Sequence, residues 1–195
     1  MKSLLLVPFA VALIAAKPAP VPALPSIVPP AQVAAEKANH LFVQLSTGGT
    51  VEIVLRPDLA PNHVQRIQTL VRRGFYNGLT FHRVIPGFMA QGGDPKGTGE
   101  GGSDLPDLKA EFTPMPFMRG MVGAARADNP DSANSQFFIM FARHPELDNK
   151  YTVIGRVVSG MDAVDAITPG EPPAQPATVV KAWLGDAAPA SAAAK

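Results

Sequence analysis

Cysteine is missing from all 195 residues, which removes disulfides, thiolate metal sites and thiol catalysis from consideration. Neither sign of charge is in excess. Lys plus Arg number 17 against 16 for Asp plus Glu, a formal net charge of +1. A dedicated nucleic-acid binder carries a clear basic excess, so that class is set aside. No apolar run reaches the length of a membrane span: the one at residues 4–16 stops short of the roughly 20 residues such a helix needs. The histidines, His40, His63, His82 and His144, lack paired zinc spacing. The stretch Gly97-Thr98-Gly99-Glu100-Gly101-Gly102 lacks the Lys-Ser/Thr ending of a phosphate loop and reads as a flexible surface loop. Ser132 and Ser135 have no recognisable base arranged beside them. A catalytic thiol is excluded, and nothing in the sequence marks a metal cluster or a phosphate loop.

Proline, by contrast, is abundant and unevenly placed. Residues 1–16 read as a secretory signal: Lys2 supplies the positive start and an apolar run follows, with cleavage at Ala16 or as late as Ala23. Periplasmic or secreted location is the expectation, with no stable membrane association after cleavage. Residues 17–38 carry Pro18, Pro20, Pro22, Pro25, Pro29 and Pro30, which favour an extended linker and disfavour a helix. A folded domain is expected over residues 39–186, and a frayed tail over 187–195.

Within the domain, Leu41, Val43 and Leu45 alternate with polar or outward positions, and Val51, Ile53 and Leu55 resume the pattern after Gly48-Gly49. That is a hairpin with one buried face. A helix enters near Pro61, capped by Asp58, with Val64, Ile67, Leu70 and Val71 inward, Gln65, Arg66, Arg72 and Arg73 in water, and Gly74 ending it. Strands follow at residues 80–84, 88–91, 121–124, 136–141, 151–158 and 178–183, and a second helix at 161–167. Trp183 is expected as core of the closing strand. Eight mostly antiparallel strands fit either a closed barrel or a sandwich, and periodicity does not decide between them.

Residues 81–94 hold the most informative stretch: Phe81-His82-Arg83-Val84-Ile85-Pro86-Gly87-Phe88-Met89-Ala90-Gln91-Gly92-Gly93-Asp94. A permanently charged guanidinium stands close to a Phe-Met pair and an amide side chain. This combination suits a reaction that makes and breaks no covalent bond. Strand alternation puts Phe81 and Arg83 on one face and His82 on the other, and pairs Met89 with Gln91. Phe88 then falls on the wrong side unless Gly87 bends the chain.

This motif, residues 97–112 and Ser135-Gln136-Phe137-Phe138-Ile139 together resemble the cyclophilin-type peptidyl-prolyl cis-trans isomerases, closest to exported bacterial forms. The resemblance covers residues 39–186. It implies a mainly β fold, a closed eight-stranded antiparallel β-barrel flanked by two α-helices. It also implies Arg83 and Gln91 as catalytic residues, with Phe88, Met89, Phe138, Leu147 and Tyr151 walling a pocket for the substrate proline. Gln136 would orient the substrate backbone, and Ala127 would offer it backbone hydrogen bonds. Proline-containing polypeptides are the implied partners of a monomer that needs no cofactor.

The residue types suit that reaction. Turning a peptide bond costs about 18–20 kcal/mol in lost resonance, and Xaa-Pro bonds exchange over tens to hundreds of seconds. In the twisted state the nitrogen lone pair localises, and a donor aimed at it stabilises that state above the planar one. Arg supplies such a donor and cannot lose its proton. A hundred-thousandfold acceleration asks for roughly 7 kcal/mol. A binding module of the same fold, holding proline segments with incidental turnover, is the competing reading. Two positions depart from eukaryotic members: Glu146 stands where those carry a Trp that contacts cyclosporin, and Tyr151 where they carry a His. Weak cyclosporin sensitivity is therefore expected.

Overall fold

The structure, a computed structural model, describes residues 25–187. The expected signal at 1–16, the first part of the proline-rich linker (17–24) and nearly all of the tail lie outside the described residues.

Among the described residues there are eight strands, three α-helices and two short 3-10 segments. Strands β1 (His40–Leu45) and β2 (Thr50–Leu55) form the expected hairpin, with Gly48 and Gly49 both at positive φ in its turn. Glycine suits those positions because a Cβ there would clash with the backbone. The remaining strands are β3 (Phe81–Ile85), β4 (Met89–Gly92), β5 (Met121–Ala124), β6 (Phe137–Met140), β7 (Val153–Ser159) and β8 (Val179–Leu184). All pairings are antiparallel, in the order β3-β4-β6-β5-β7-β2-β1-β8.

The sheet curls but does not close, which corrects the closed barrel implied by the resemblance. Its end strands β3 and β8 are not paired as a ladder. They are linked by an isolated bridge, Thr80 to Thr178, and by Gly78 N–H to Val179 O, Val179 N–H to Leu79 O and Phe81 N–H to Ala177 O. Further along β3 the bridging partner of Val84 is Gly170. Between these two attachments the chain carries Pro172, Pro173 and Pro176, which have no N–H to donate to a ladder. The seam is therefore held at its ends and open in the middle.

Two apolar clusters result. The inward faces of β1, β2 and the other strands gather Leu41, Val43, Ile53, Phe81, Val122, Ile139 and Ile154. Helix α2 (Pro61–Arg72) joins the same cluster through Val64, Ile67, Leu70 and Val71, and α3 (Met161–Asp165) through Ala163 and Val164. The void left inside is ≈ 20 Å³, so the interior is filled and any ligand must sit outside. The second cluster lies on the outer side: Met89, Met115, Phe117, Met121, Phe138, Met140, Leu147 and Val153.

Several local expectations are corrected. Asp58 does not cap α2; both its oxygens take Nε and Nη2 of the buried Arg56. The free N–H groups of Asn62 and His63 bond instead to the Glu111 carboxylate, which reaches them from a distant loop. Arg66 is not in water. It is buried, its guanidinium spent on the carbonyls of Pro106 and Asn134. Trp183 is half-buried on the outer face, stacked on Phe42 with centroids 5.5 Å apart. Helix α1 (Ala31–Ala35) forms within the expected linker, directly after Pro30, because that proline occupies the cap and needs no internal N–H bond. Its Val33 is buried, and Ile27 packs on the outer cluster.

Candidate active site

The site is built by one irregularity in β3. Phe81 stands opposite Gly92 and Arg83 opposite Gln91, so His82 is an extra residue against β4. Such a bulge lets consecutive residues leave the strand on the same side. Phe81 points into the inner cluster, and so does Val84, while His82 and Arg83 line the outer surface. The expectation that Phe81 and Arg83 share a face is thereby overturned. The bulge reverses the parity and brings Arg83 beside Gln91.

Phe88 is resolved by the turn before β4. Gly87 takes φ +73° and Phe88 N–H bonds to Ile85 O at 3.0 Å, so Phe88 precedes the strand and escapes its alternation. Phe141 N–H fixes its carbonyl at 2.8 Å. Met89 and Gln91 then share the outer face, as expected.

These elements enclose a pocket of ≈ 130 Å³. Seven of the residues singled out from the sequence meet there: Arg83, Phe88, Met89, Gln91, Phe138, Leu147 and Tyr151. Ala125 and Arg126 complete the lining. Phe138 is the floor, packed on buried Phe117 at 5.6 Å and edge-on to Tyr151 at 5.7 Å. Gln136 and Ala127 line an adjoining groove of ≈ 530 Å³, which shares Gln91, Ala125 and Arg126 with the pocket. Both backbone groups of Ala127 are engaged: its N–H by Ser132 Oγ at 3.0 Å, its carbonyl by Arg126 Nη1 at 2.8 Å.

Arg83 is partly exposed. Its Nε donates to Glu171 Oε2 at 2.7 Å, and among the described residues its two Nη groups make no hydrogen bond. Glu171 comes from the proline-rich segment that leaves the sheet open. Gln136 Nε2 donates to the carbonyls of Gly99 and Gly101 at 2.9 and 2.8 Å. Carbonyls only accept, so the Gln136 oxygen must face Gln91, whose Nε2 donates to it at 2.9 Å. The chain of amides leaves Gln91 Oε1 as an acceptor at the pocket wall.

The glycine-rich loop that carries those carbonyls is not loose. Asp94, buried to 1 % exposure, accepts from the N–H groups of Lys96, Thr98 and Gly99 at 2.6–2.9 Å. Burial pushes the Asp94 carboxyl up. The amides of Lys96, Gly101, Gly99 and Thr98 more than offset this and hold it below the usual carboxylate range. Next to it, burial pushes His82 down, so a neutral imidazole and not a second cation lies beside Arg83.

Sequence reasoning did not find Asp94, Arg126, Glu171 or His144. Arg126 stacks over the Tyr151 ring, 4.5 Å from its centroid. His144 packs on Phe88 at 4.6 Å. Asp94 carried a signal, a lone acid before a glycine run whose amides need an acceptor. Glu171 carried none, since it reaches Arg83 from 88 positions away.

A family model described as cyclophilin type peptidyl-prolyl cis-trans isomerase/CLD matches residues 42–183. A Brucella suis protein named "Probable peptidyl-prolyl cis-trans isomerase" is 57% identical over 148 residues, covering 70% of this chain and 75% of its own. Peptidyl-prolyl cis-trans isomerase B of Bacillus subtilis is 41% identical over 131 residues, covering 67% and 91%. Among solved structures, the cyclophilin AquaCyp293 from Hirschia baltica superposes with TM-score 0.72 at 32% identity, covering 79% of this chain and 77% of that one. A Cryptosporidium parvum cyclophilin crystallised in the presence of the dipeptide Ala-Pro gives 0.69 at 25% identity, covering 74% and 98%.

Proposed function

The chain belongs to the cyclophilin-type peptidyl-prolyl cis-trans isomerases, and from that premise we propose how its own residues turn an Xaa-Pro bond. The pocket walled by Phe88, Met89, Phe138 and Leu147 takes the proline ring and excludes water from it. Gln91 Oε1 accepts a backbone N–H of the substrate and fixes its register. The ring stays held while the peptide group preceding it rotates.

Arg83 then acts on the rotating bond. In the planar amide the nitrogen lone pair is delocalised and a poor acceptor; in the twisted one it is localised. An Nη–H aimed at it gains strength only during the twist, the condition for acceleration. Fixing Nε on Glu171 costs no reorganisation at that moment and leaves both Nη groups available. Ala127, with its N–H held by Ser132 Oγ, offers the residues before proline only the remaining lone pair of its carbonyl.

The observation that supports this reading is the β3 bulge, which turns Arg83 onto the outer face beside Gln91, in one pocket with Phe88, Met89, Phe138 and Leu147. The test compares wild type with Arg83→Ala by NMR exchange on an Xaa-Pro peptide. A fall in kcat/KM of about 10²–10³ is expected, the loss seen when one positioned donor is removed from a transition state. Equal rates in both proteins would favour a proline-binding module instead. The charged and then apolar N-terminal stretch supports export, and the mature N-terminus in a cell-envelope fraction tests that.

A further inference from the structure

His144 meets two groups that can only accept. Its Nδ1 lies 2.7 Å from Glu146 Oε1 and its Nε2 lies 3.0 Å from Gly87 O. A neutral imidazole has one N–H and can satisfy one of them; the imidazolium has two and satisfies both. The ring also packs on Phe88, whose π-face favours a cation.

The two acceptors adjoin the two ends of the pocket wall. Gly87 precedes Phe88 and Glu146 precedes Leu147, and both Phe88 and Leu147 line the pocket. Nothing lies within 4 Å of where a Gly87 Cβ would be, so this turn is held by hydrogen bonds and not by packing on that side. Accordingly, we propose that His144, as the imidazolium, is a positioning residue that clasps the Phe88 turn to the Leu147 segment and sets the width of the proline pocket. The proposal rests on the reading of that pocket as the proline site.

The surrounding charges agree. Glu146 and Arg143 come from the same loop, Arg143 being paired with Asp148. The Ile85-Pro86-Gly87-Phe88 turn brings no titratable group, and the Phe117 side brings a backbone carbonyl to His144 N–H. The Glu146 hydrogen bond, and then the Gly87 carbonyl, hold His144 above its ordinary value, with Arg143 opposing weakly. A raised histidine pKa means the clasp is complete below the ordinary value of about 6.5 and opens as pH rises through the raised one.

The experiment follows KM and kcat from about pH 6 to pH 9, by NMR exchange on an Xaa-Pro peptide without titrating groups. Expected in the full-length wild type is a rise in KM of roughly three- to tenfold across the His144 titration, with kcat changing less than about twofold. His144→Gln should show the high KM at every pH, and Glu146→Gln should move the inflection to lower pH. Imidazole ¹⁵N shifts of His144 are followed in parallel with Phe88 ring and Leu147 methyl shifts, which should track the same titration. A pH-independent KM in the wild type, an unmoved inflection in Glu146→Gln, or Phe88 shifts indifferent to His144 would each overturn the clasp. Wild-type turnover in Arg83→Ala would count against the site reading instead, and the side-chain shifts would still decide the clasp.

Discussion

Arg83 has one nitrogen committed and two in reserve. The committed one, Nε, is held by Glu171, and at that distance the bond is charge-assisted and directional. Removing it should not affect binding of the ring, which is apolar work, but should let the guanidinium sample other rotamers. Glu171→Ala is therefore expected to lower kcat by about three- to tenfold with little change in KM, and Glu171→Gln to fall between it and wild type. Steady-state kinetics on an Xaa-Pro peptide checks the split. Glu146 acts at the other rim. Its carboxylate is exposed and engaged by His144, so the rim offers charge where a flat aromatic contact would favour cyclosporin. Inhibition of the purified domain should be far weaker than nanomolar. The motif's resemblance to the family, more than the residue types alone, singled out Arg83, Phe88 and Phe138, which the fold brings to one pocket. Sequence did not make Glu171 or His144 legible, since each acts through a contact made only by folding.

Elements were legible where periodicity decided them. The β1–β2 hairpin and the inward stripe of α2 follow from apolar spacing alone, and both are present with that register. What spacing does not encode is an extra residue, so the bulge at His82 inverted the expected parity of Arg83. Nor does it encode a cap supplied from elsewhere. Asp58 looked like the cap of α2, yet a buried Arg56 is a stronger claimant for its charge, and Glu111 serves the helix. Glu111→Ala should cost about 1–3 kcal/mol, measured by denaturant unfolding. Burial pushes the Glu111 carboxyl up, but the His63 ring and the Asn62 and His63 amides hold it below its ordinary value. A depressed carboxyl stabilises the fold above its unfolded pKa of about 4.3 and loses that contribution as pH falls through the folded value. The variant's stability should consequently fall less steeply than that of wild type on acidification through that window.

On the scale of the whole molecule, the inner cluster fills the curl of the sheet and the outer cluster borders the candidate site. The inner cluster leaves a void of only ≈ 20 Å³. The outer one is also mostly buried, but its lip at Phe88 and Tyr151 is part-exposed beside the pocket. Eight strands could be counted from the sequence, whereas closure could not. It turns on whether β8 and β3 find consecutive partners, and the prolines of the intervening segment deny them. Amides at this seam, those of Gly78, Phe81 and Val179, are expected to exchange with deuterium faster than those of the β1–β2 ladder. The same gap delivers Glu171 to Arg83. Heating should therefore unfasten the enzyme where it is aimed before it melts where it is packed: turnover fades while circular dichroism still reports an intact sheet. A cross-link placed over that slit would then prolong working life at high temperature without raising the melting point by much.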